Sequence, residues 1–211
     1  MLKVNELFYS LQGDTSYMGY PCVIIRLTGC NLRCRYCDTQ YAYTEGKEYS
    51  IEKIISFISR FRTNLVMITG GEPLLQKKVV TLTERLITTG YKVLIETNGS
   101  LPINILPDKV VRIMDIKCPG SGMSKYMLWE NINYLKKEDE VKFVILDYND
   151  YNWAKDVINR YGLLKLSKVL FSPVFKKLDL RMLADWILKD ELNVRLQPQL
   201  HKIIWGEKRG V

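Results

Sequence analysis

The chain has 211 residues, 47% of them hydrophobic, and its 31 lysines and arginines against 23 acidic residues give a formal net charge of +8. That length suits one sizeable core, so a single domain over residues 1–211 is expected, and with no leader-like start and no apolar run long enough to cross a bilayer the chain reads as a cytoplasmic protein without a membrane partner. Its basic residues are scattered, as in Lys136-Lys137 and Lys176-Lys177, without the aromatic-interleaved stripe of a nucleic-acid surface, so no direct nucleic-acid contact is expected.

The first predicted strand is the apolar run 22–27, preceded by the polar segment Ser10-Leu11-Gln12-Gly13-Asp14. Arg26 lies inside that run. A buried guanidinium needs a partner, either an acidic side chain or an anionic substrate gripped by both prongs. Gln12 offers an amide suited to reading the edge of a heterocycle.

Cys30, Cys34 and Cys37 follow at once, spaced Cys-x3-Cys-x2-Cys. A structural zinc site closes four ligands, usually as two separated pairs, and no second pair exists here; Cys118 and the lone His201 are remote in sequence. A 4Fe–4S cluster held by three thiolates keeps one iron open to an outside ligand such as S-adenosylmethionine. Clustered thiols of this kind call for a reducing cytoplasm. Within the loop, Tyr36 either packs against adenine or fills the loop's apolar side. Asp38-Thr39 supplies hard oxygens suited to Mg²⁺, although Thr39 could equally cap the loop.

Downstream, short apolar runs alternate with amphipathic stretches. Further strands are predicted at 65–69, from 92 to 96, and at 110–115, 141–146, 168–171 and 194–196. Helices are predicted from Ser50 as N-cap through Ile51, Ile54, Ile55 and Ile58, then at about 76–89, 126–137, 150–161 and 179–189. Alternating β and α units imply a parallel sheet, and seven strands fall short of an eight-unit barrel, so the expected fold is α/β, a partial, open TIM-like β/α barrel. Its site should lie at the strands' C-terminal ends.

Three loops occupy that face. Thr69-Gly70-Gly71-Glu72-Pro73 combines glycines that admit close backbone approach with a carboxylate able to hold a ligand ammonium; alone it would be a plain strand-to-helix turn. Glu96-Thr97-Asn98-Gly99 adds polar groups. Asp115-Ile116-Lys117 offers opposite charges that either pair with each other or contact ligand. His201 reads more readily as a structural histidine than as a catalytic one.

Together these residues resemble the radical S-adenosylmethionine superfamily and, within it, the 7-carboxy-7-deazaguanine synthases. The generic part is the cysteine triplet with Gly70-Gly71-Glu72-Pro73. The discriminating part is Phe8-Tyr9-Ser10-Leu11-Gln12-Gly13, Arg26, Cys37-Asp38-Thr39, Glu96-Thr97-Asn98-Gly99 and Gln199-Leu200-His201-Lys202. The resemblance implies conversion of 6-carboxy-5,6,7,8-tetrahydropterin to 7-carboxy-7-deazaguanine with loss of ammonia, in queuosine or archaeosine biosynthesis. It implies a 4Fe–4S cluster on Cys30, Cys34 and Cys37, and Mg²⁺ on Thr39. S-adenosylmethionine would lie against Tyr36, Cys37, Asp38, Gly71, Glu72, Thr97, Lys117 and Ser172. The pterin would meet Leu11, Gln12, Gly13, Arg26, Thr69 and Val211. A homodimer and an electron donor such as flavodoxin or ferredoxin are implied as well. The chain departs from the family at Gly13-Asp14-Thr15, where Gly-Glu-Gly is usual, and at Asp115-Ile116-Lys117, where Ser-Pro-Lys is usual. A glycyl-radical activating enzyme shares the cysteine spacing but has no need of Arg26 beside Leu11-Gln12-Gly13. A cluster-bearing electron carrier would not need the Gly70-Gly71 loop.

Overall fold

The computed structural model describes residues 1–211. All seven predicted strands lie in one nine-stranded open sheet. In chain order the strands are β1 (Leu2–Leu11), β2 (Pro21–Leu27), β3 (Lys47–Tyr49), β4 (Leu65–Gly70), β5 (Lys92–Thr97), β6 (Val111–Ile116), β7 (Glu140–Ile145), β8 (Lys168–Pro173) and β9 (Arg195–Leu196). Across the sheet the order is β3-β1-β2-β4-β5-β6-β7-β8-β9. From β2 to β9 every neighbour is parallel, and the order rises steadily along the chain, as right-handed crossovers require.

β1 and β3 are the strands that sequence patterning did not reveal, and both pair antiparallel. The segment from Ser10 therefore leaves the end of a ten-residue strand rather than preceding the first strand. A register shift between Val4 and Glu6 explains the miss, because a bulge breaks the period-two alternation on which recognition depends.

Four of the predicted helices form: α1 (Ile51–Ile58), α2 (Lys78–Thr88), α3 (Tyr148–Tyr161) and α5 (Leu180–Lys189). Ser50 caps α1 by accepting the Lys53 N–H at 3.2 Å. Asp147 caps α3 two residues earlier than expected, and Asp179 caps α5. Two short helices were not anticipated, α4 (Leu163–Leu166) and α6 (Leu200–Trp205). The helix expected over 126–137 is absent. Its place is taken by 3-10 turns at Ser124–Tyr126 and Trp129–Tyr134. The stretch is rich in asparagine and aromatic residues, which are weak helix formers, and Asn131 finds better partners outside it. Its amide donates to the carbonyls of Gly99 (3.2 Å) and Leu101 (2.9 Å), and its oxygen accepts the Ile103 N–H at 3.1 Å.

The β5–β6 and β6–β7 crossovers thus lack an α-helix, and a second buried polar centre fastens them. Arg112, 3% exposed, pairs with the fully buried Asp139 through both its backbone N–H (2.9 Å) and its guanidinium (3.3 Å). The same guanidinium donates to the carbonyls of Leu106 and Tyr134, one in each crossover. The main apolar core of 37 residues lies between the sheet's outer face and the helices, to which α2 contributes Val79, Leu82 and Leu86. The concave face is apolar only at its base, where Cys22, Leu65, Met67, Leu94, Val111 and Ile113 pack together.

Asp139→Ala should strand the Arg112 charge and cost about 3–5 kcal/mol. In anaerobic calorimetry that corresponds to a Tm lower by roughly 6–20 °C for a chain of this size. A loss under about 1 kcal/mol would show that the pair does not fasten the crossovers.

Candidate active site

Side chains alternate across a strand, so residues two apart share a face. Above the apolar base, the concave face carries one polar side chain from each of five consecutive parallel strands: Arg26 (β2), Thr69 (β4), Glu96 (β5), Asp115 (β6) and Lys142 (β7). The register sets Arg26 opposite Thr69 and Asp115 opposite Lys142. With the loops at the strand ends they line a cavity of about 300 Å³. The barrel's other end is plugged by the turn after β1. There the Gln12 side-chain oxygen accepts the N–H groups of Asp14 (2.8 Å) and Thr15 (3.0 Å), while Ser16 bonds to Glu140.

Cys30, Cys34 and Cys37 all line this cavity. Their loop is tied down on several sides. Cys37 N–H donates to Cys34 O (3.2 Å), Arg35 N–H to Ser121 O (3.0 Å), and the Arg33 guanidinium to Cys30 O (2.7 Å). The Cys30 sulfur accepts the Leu32 N–H at 3.4 Å and faces the Asn98 amide at 3.9 Å, two donors that favour a thiolate. Burial pushes the Cys34 thiol up to about 11 and raises Cys30 too, so metal binding must displace their protons. Cys118 is fully buried in the apolar core and Cys22 in the concave base, both away from the cavity. Three thiols from one loop lining one cavity, with neither of the other two cysteines on its wall, form a donor set that fits a 4Fe–4S cluster with one iron left open.

Gly71 explains how the cysteine loop sits so near the sheet. A Cβ there would overlap the Gly29 carbonyl oxygen. Glu72 N–H donates to that oxygen at 2.7 Å, and Gly71 N–H to Leu27 O at 3.2 Å. The expectation that Glu72 holds a ligand ammonium is not met. Its carboxylate is fully buried, turned away from the cavity, and taken up by the N–H groups of Leu74 (3.0 Å) and Asn98 (2.6 Å) and by the Thr97 hydroxyl (2.9 Å). Burial pushes it up to about 7 against the pull of these donors. Glu72 is therefore a brace between two cavity loops. Ser172 is also withdrawn: it is 2% exposed and absent from the lining, which takes Pro173 and Val174 from the same stretch.

The other expected residues do reach the cavity: Leu11, Gln12, Gly13, Arg26, Tyr36, Asp38, Thr39, Thr69, Gly71, Thr97, Lys117 and Val211. Tyr36 donates its hydroxyl to Val144 O at 3.1 Å, which fixes the ring. Arg26 pairs through Nε with Glu6 at 2.7 Å, so the required acidic partner is internal, while its two terminal nitrogens make no hydrogen bond within the protein. Lys117 bonds to Asp115 at 2.6 Å, the mutual pair that the sequence allowed. Asp38 accepts the Thr39 hydroxyl at 2.9 Å and pairs with Lys202; desolvation opposes its charge, but Lys202 and that hydroxyl outweigh it and hold the carboxyl at about 2.

Four contributors were not assigned from sequence. Lys142, Lys202 and Glu6 hold the cavity's charges in place, and His201 lines the wall with its ring pressed against Gly13, where a Cβ would collide with Nδ1. For Lys142 a signal was present: one charge inside the apolar run 141–146, the same signal that singled out Arg26.

The profile of the Radical SAM superfamily matches residues 24–117, the stretch that carries the three clustered cysteines and the Gly70-Gly71 loop. The chain is 44% identical to a 7-carboxy-7-deazaguanine synthase of Koribacter versatilis, with all of both chains covered. It is 42% identical to the one of Chlorobaculum tepidum, covering all of this chain and 97% of that protein. Among solved structures, QueE from Escherichia coli superposes with a TM-score of 0.77 at 23% identity, covering 95% of this chain and 94% of that one, a likeness of fold. Full-length identity at this level, together with the cysteine loop and the open sheet, is decisive: the chain belongs to the 7-carboxy-7-deazaguanine synthase family of radical S-adenosylmethionine enzymes.

Proposed function

We propose that this enzyme converts 6-carboxy-5,6,7,8-tetrahydropterin to 7-carboxy-7-deazaguanine with release of ammonia, a step of 7-deazapurine biosynthesis. The observation that carries the reading is the pairing of a three-thiol wall with a guanidinium whose outer prongs are free, in one cavity. When bound, the reduced cluster and S-adenosylmethionine supply the one-electron chemistry that starts the reaction.

The protein's own groups supply grip and orientation. Arg26 offers two parallel N–H donors to the substrate carboxylate, and Glu6 behind it prevents the guanidinium from swinging away. The Gln12 amide nitrogen is free to donate to the heterocycle because its oxygen is spent on the Asp14 and Thr15 N–H groups. Leu11, Gly13, Thr69 and Val211 complete the substrate side of the wall. Tyr36, Cys37, Asp38, Gly71, Thr97 and Lys117 line the side proposed for S-adenosylmethionine. The Thr39 hydroxyl beside the ionised Asp38 offers hard oxygens that would hold Mg²⁺, whose charge would favour an anionic substrate. An electron donor such as flavodoxin or ferredoxin, a homodimer and a reducing cytoplasmic setting belong to the same proposal. No helix is long and apolar enough to cross a membrane.

The direct test incubates reconstituted enzyme anaerobically with dithionite, S-adenosylmethionine and carboxytetrahydropterin. The product 7-carboxy-7-deazaguanine is then followed by mass. Its absence with an intact cluster would reject the reading. In the same assay Arg26→Lys keeps the charge but loses the planar fork, so the KM for pterin should rise about ten- to a hundred-fold, while substrate-free cleavage of S-adenosylmethionine is spared. Equal damage to both would place Arg26 elsewhere.

Alanine at Cys30, Cys34 or Cys37 should abolish stable iron loading and activity, whereas alanine at Cys22 or Cys118 should leave iron content unchanged. Iron loss in the Cys118 variant would make it a fourth ligand and close the open iron. Thr39→Ala should retain the cluster and lower turnover most at limiting Mg²⁺. Indifference of the wild type to a chelator would remove the ion from the scheme.

A further inference from the structure

At most points around the cavity each acid is matched by at least one cation: Glu6 by Arg26 and, at 3.4 Å, Arg209, Asp38 by Lys202, and Asp115 by Lys117. The exception lies deeper. Lys142, 4% exposed, projects from the middle of β7 and meets two carboxylates, Asp14 Oδ2 at 3.2 Å and Glu96 Oε1. The second Glu96 oxygen accepts the Thr69 hydroxyl at 2.9 Å. Two acids on one ammonium leave a net charge of minus one, and Asp14, Glu96, Thr69 and Lys142 all line the cavity. Neither acid is adjacent to the other in the chain; one comes from the turn after β1 and one from the end of β5.

Two carboxylates held this close would not both stay ionised by themselves, because like charges in a desolvated site force one to take a proton. A lysine between them removes that conflict and fixes their spacing. The pair then presents hydrogen-bond acceptors into the cavity, with two acids to one ammonium. An amino-pyrimidinone edge, which carries adjacent N–H donors, complements such a surface; a dioxo ring, with an acceptor in place of the amino group, does not.

We propose that Lys142 is a positioning residue for substrate selection, holding Asp14 and Glu96 as a fixed pair of acceptors for the amino-pyrimidinone end of the substrate. The inference rests on the pterin reading above and adds the group that decides which heterocycle is accepted. Lys142 touches no reacting atom in this scheme; it acts through the two acids.

Other charged groups bear on the cluster and belong in any pH analysis. Asp115 at the end of β6 and Lys117 just beyond it face these acids, as do Glu140 at the start of β7, His201 and Lys202 from α6, and Asp38 from the cysteine loop. Lys168 at the start of β8 acts on Glu140. None of these replaces the ammonium at the midpoint between Asp14 and Glu96.

The test uses anaerobic holoenzyme and two stable probes, 6-carboxypterin and its 2-oxo counterpart 6-carboxylumazine, titrated by ligand fluorescence. Wild type should bind the pterin at least about tenfold more tightly than the lumazine, the scale of a charge-assisted hydrogen bond. Lys142→Met and Lys142→Gln should lose about ten- to a hundred-fold for the pterin and little for the lumazine. Whichever of the two retains wild-type iron content is scored. Its pterin affinity should also acquire a new ionisation between about pH 5 and 8, as the two acids come to share a proton. Lys142→Arg should restore both the preference and the flat pH profile, and substrate-free cleavage of S-adenosylmethionine should stay at the wild-type level. Equal losses for both probes, an unchanged preference in a folded neutral variant, or no rescue by arginine would overturn the assignment. A wild type that binds neither probe would instead remove the pterin reading, and this inference with it.

Discussion

The contact on which the site depends is the one between Gly70, which ends β4, with Gly71 after it, and the backbone that leads into the first cysteine. Leu27 and Gly70 are register partners on adjacent parallel strands, and beyond them Gly71 and Glu72 donate their N–H groups to the Leu27 and Gly29 carbonyls. Any side chain at Gly71 would push the cysteine loop off the sheet. Because this seam closes without a side chain, the loop is held by backbone hydrogen bonds and keeps its thiols free for metal. Glu72 then carries the constraint sideways, linking the seam to Thr97 and Asn98, and Asn98 in turn faces the Cys30 sulfur. A carboxylate that first suggests a ligand contact acts as an internal strut.

A parallel sheet is ordinarily apolar on both faces, since helices or a filled interior cover it. This one keeps that rule on its outer face, apart from the Arg112–Asp139 pair, and over most of the concave base, then abandons it in a layer where Arg26, Thr69, Glu96, Asp115 and Lys142 point inward. Buried charges are tolerated only when paired, and almost every one here is. The cavity wall thus carries charges of both signs that nearly balance.

How far the sequence could be read follows from the range of each interaction. The cysteine triplet, the Gly70-Gly71 turn and the Ser50 cap are local, and their spacing alone conveys their role. The seven parallel strands were legible because each is a short apolar run bounded by polar loops. β1 was not, since the bulge between Val4 and Glu6 breaks its alternation. The expected helix over 126–137 failed because Asn131 and Leu128 bond instead to the crossover at 99–103, a partner some thirty residues away. Orientation was the other blind spot. The chain shows that Glu72 and Ser172 lie near the strand ends, but which way each side chain turns is decided by Leu74, Thr97 and Asn98, or by the depth of β8. Lys142 could have been suspected by the reasoning applied to Arg26, whereas its two partners could be found only in three dimensions.

Leaving the barrel open to admit a large cofactor creates a hazard that closed barrels escape, since an open sheet has two free edges able to recruit strands from other molecules. Here the two outermost strands are the shortest, β3 with three residues and β9 with two. β3 places Lys47 and Glu48 in solvent and β9 exposes Arg195, so each edge is brief and charged. Neither offers enough unpaired backbone to template an intermolecular ladder, and the opening that serves the cofactor does not become a route to aggregation.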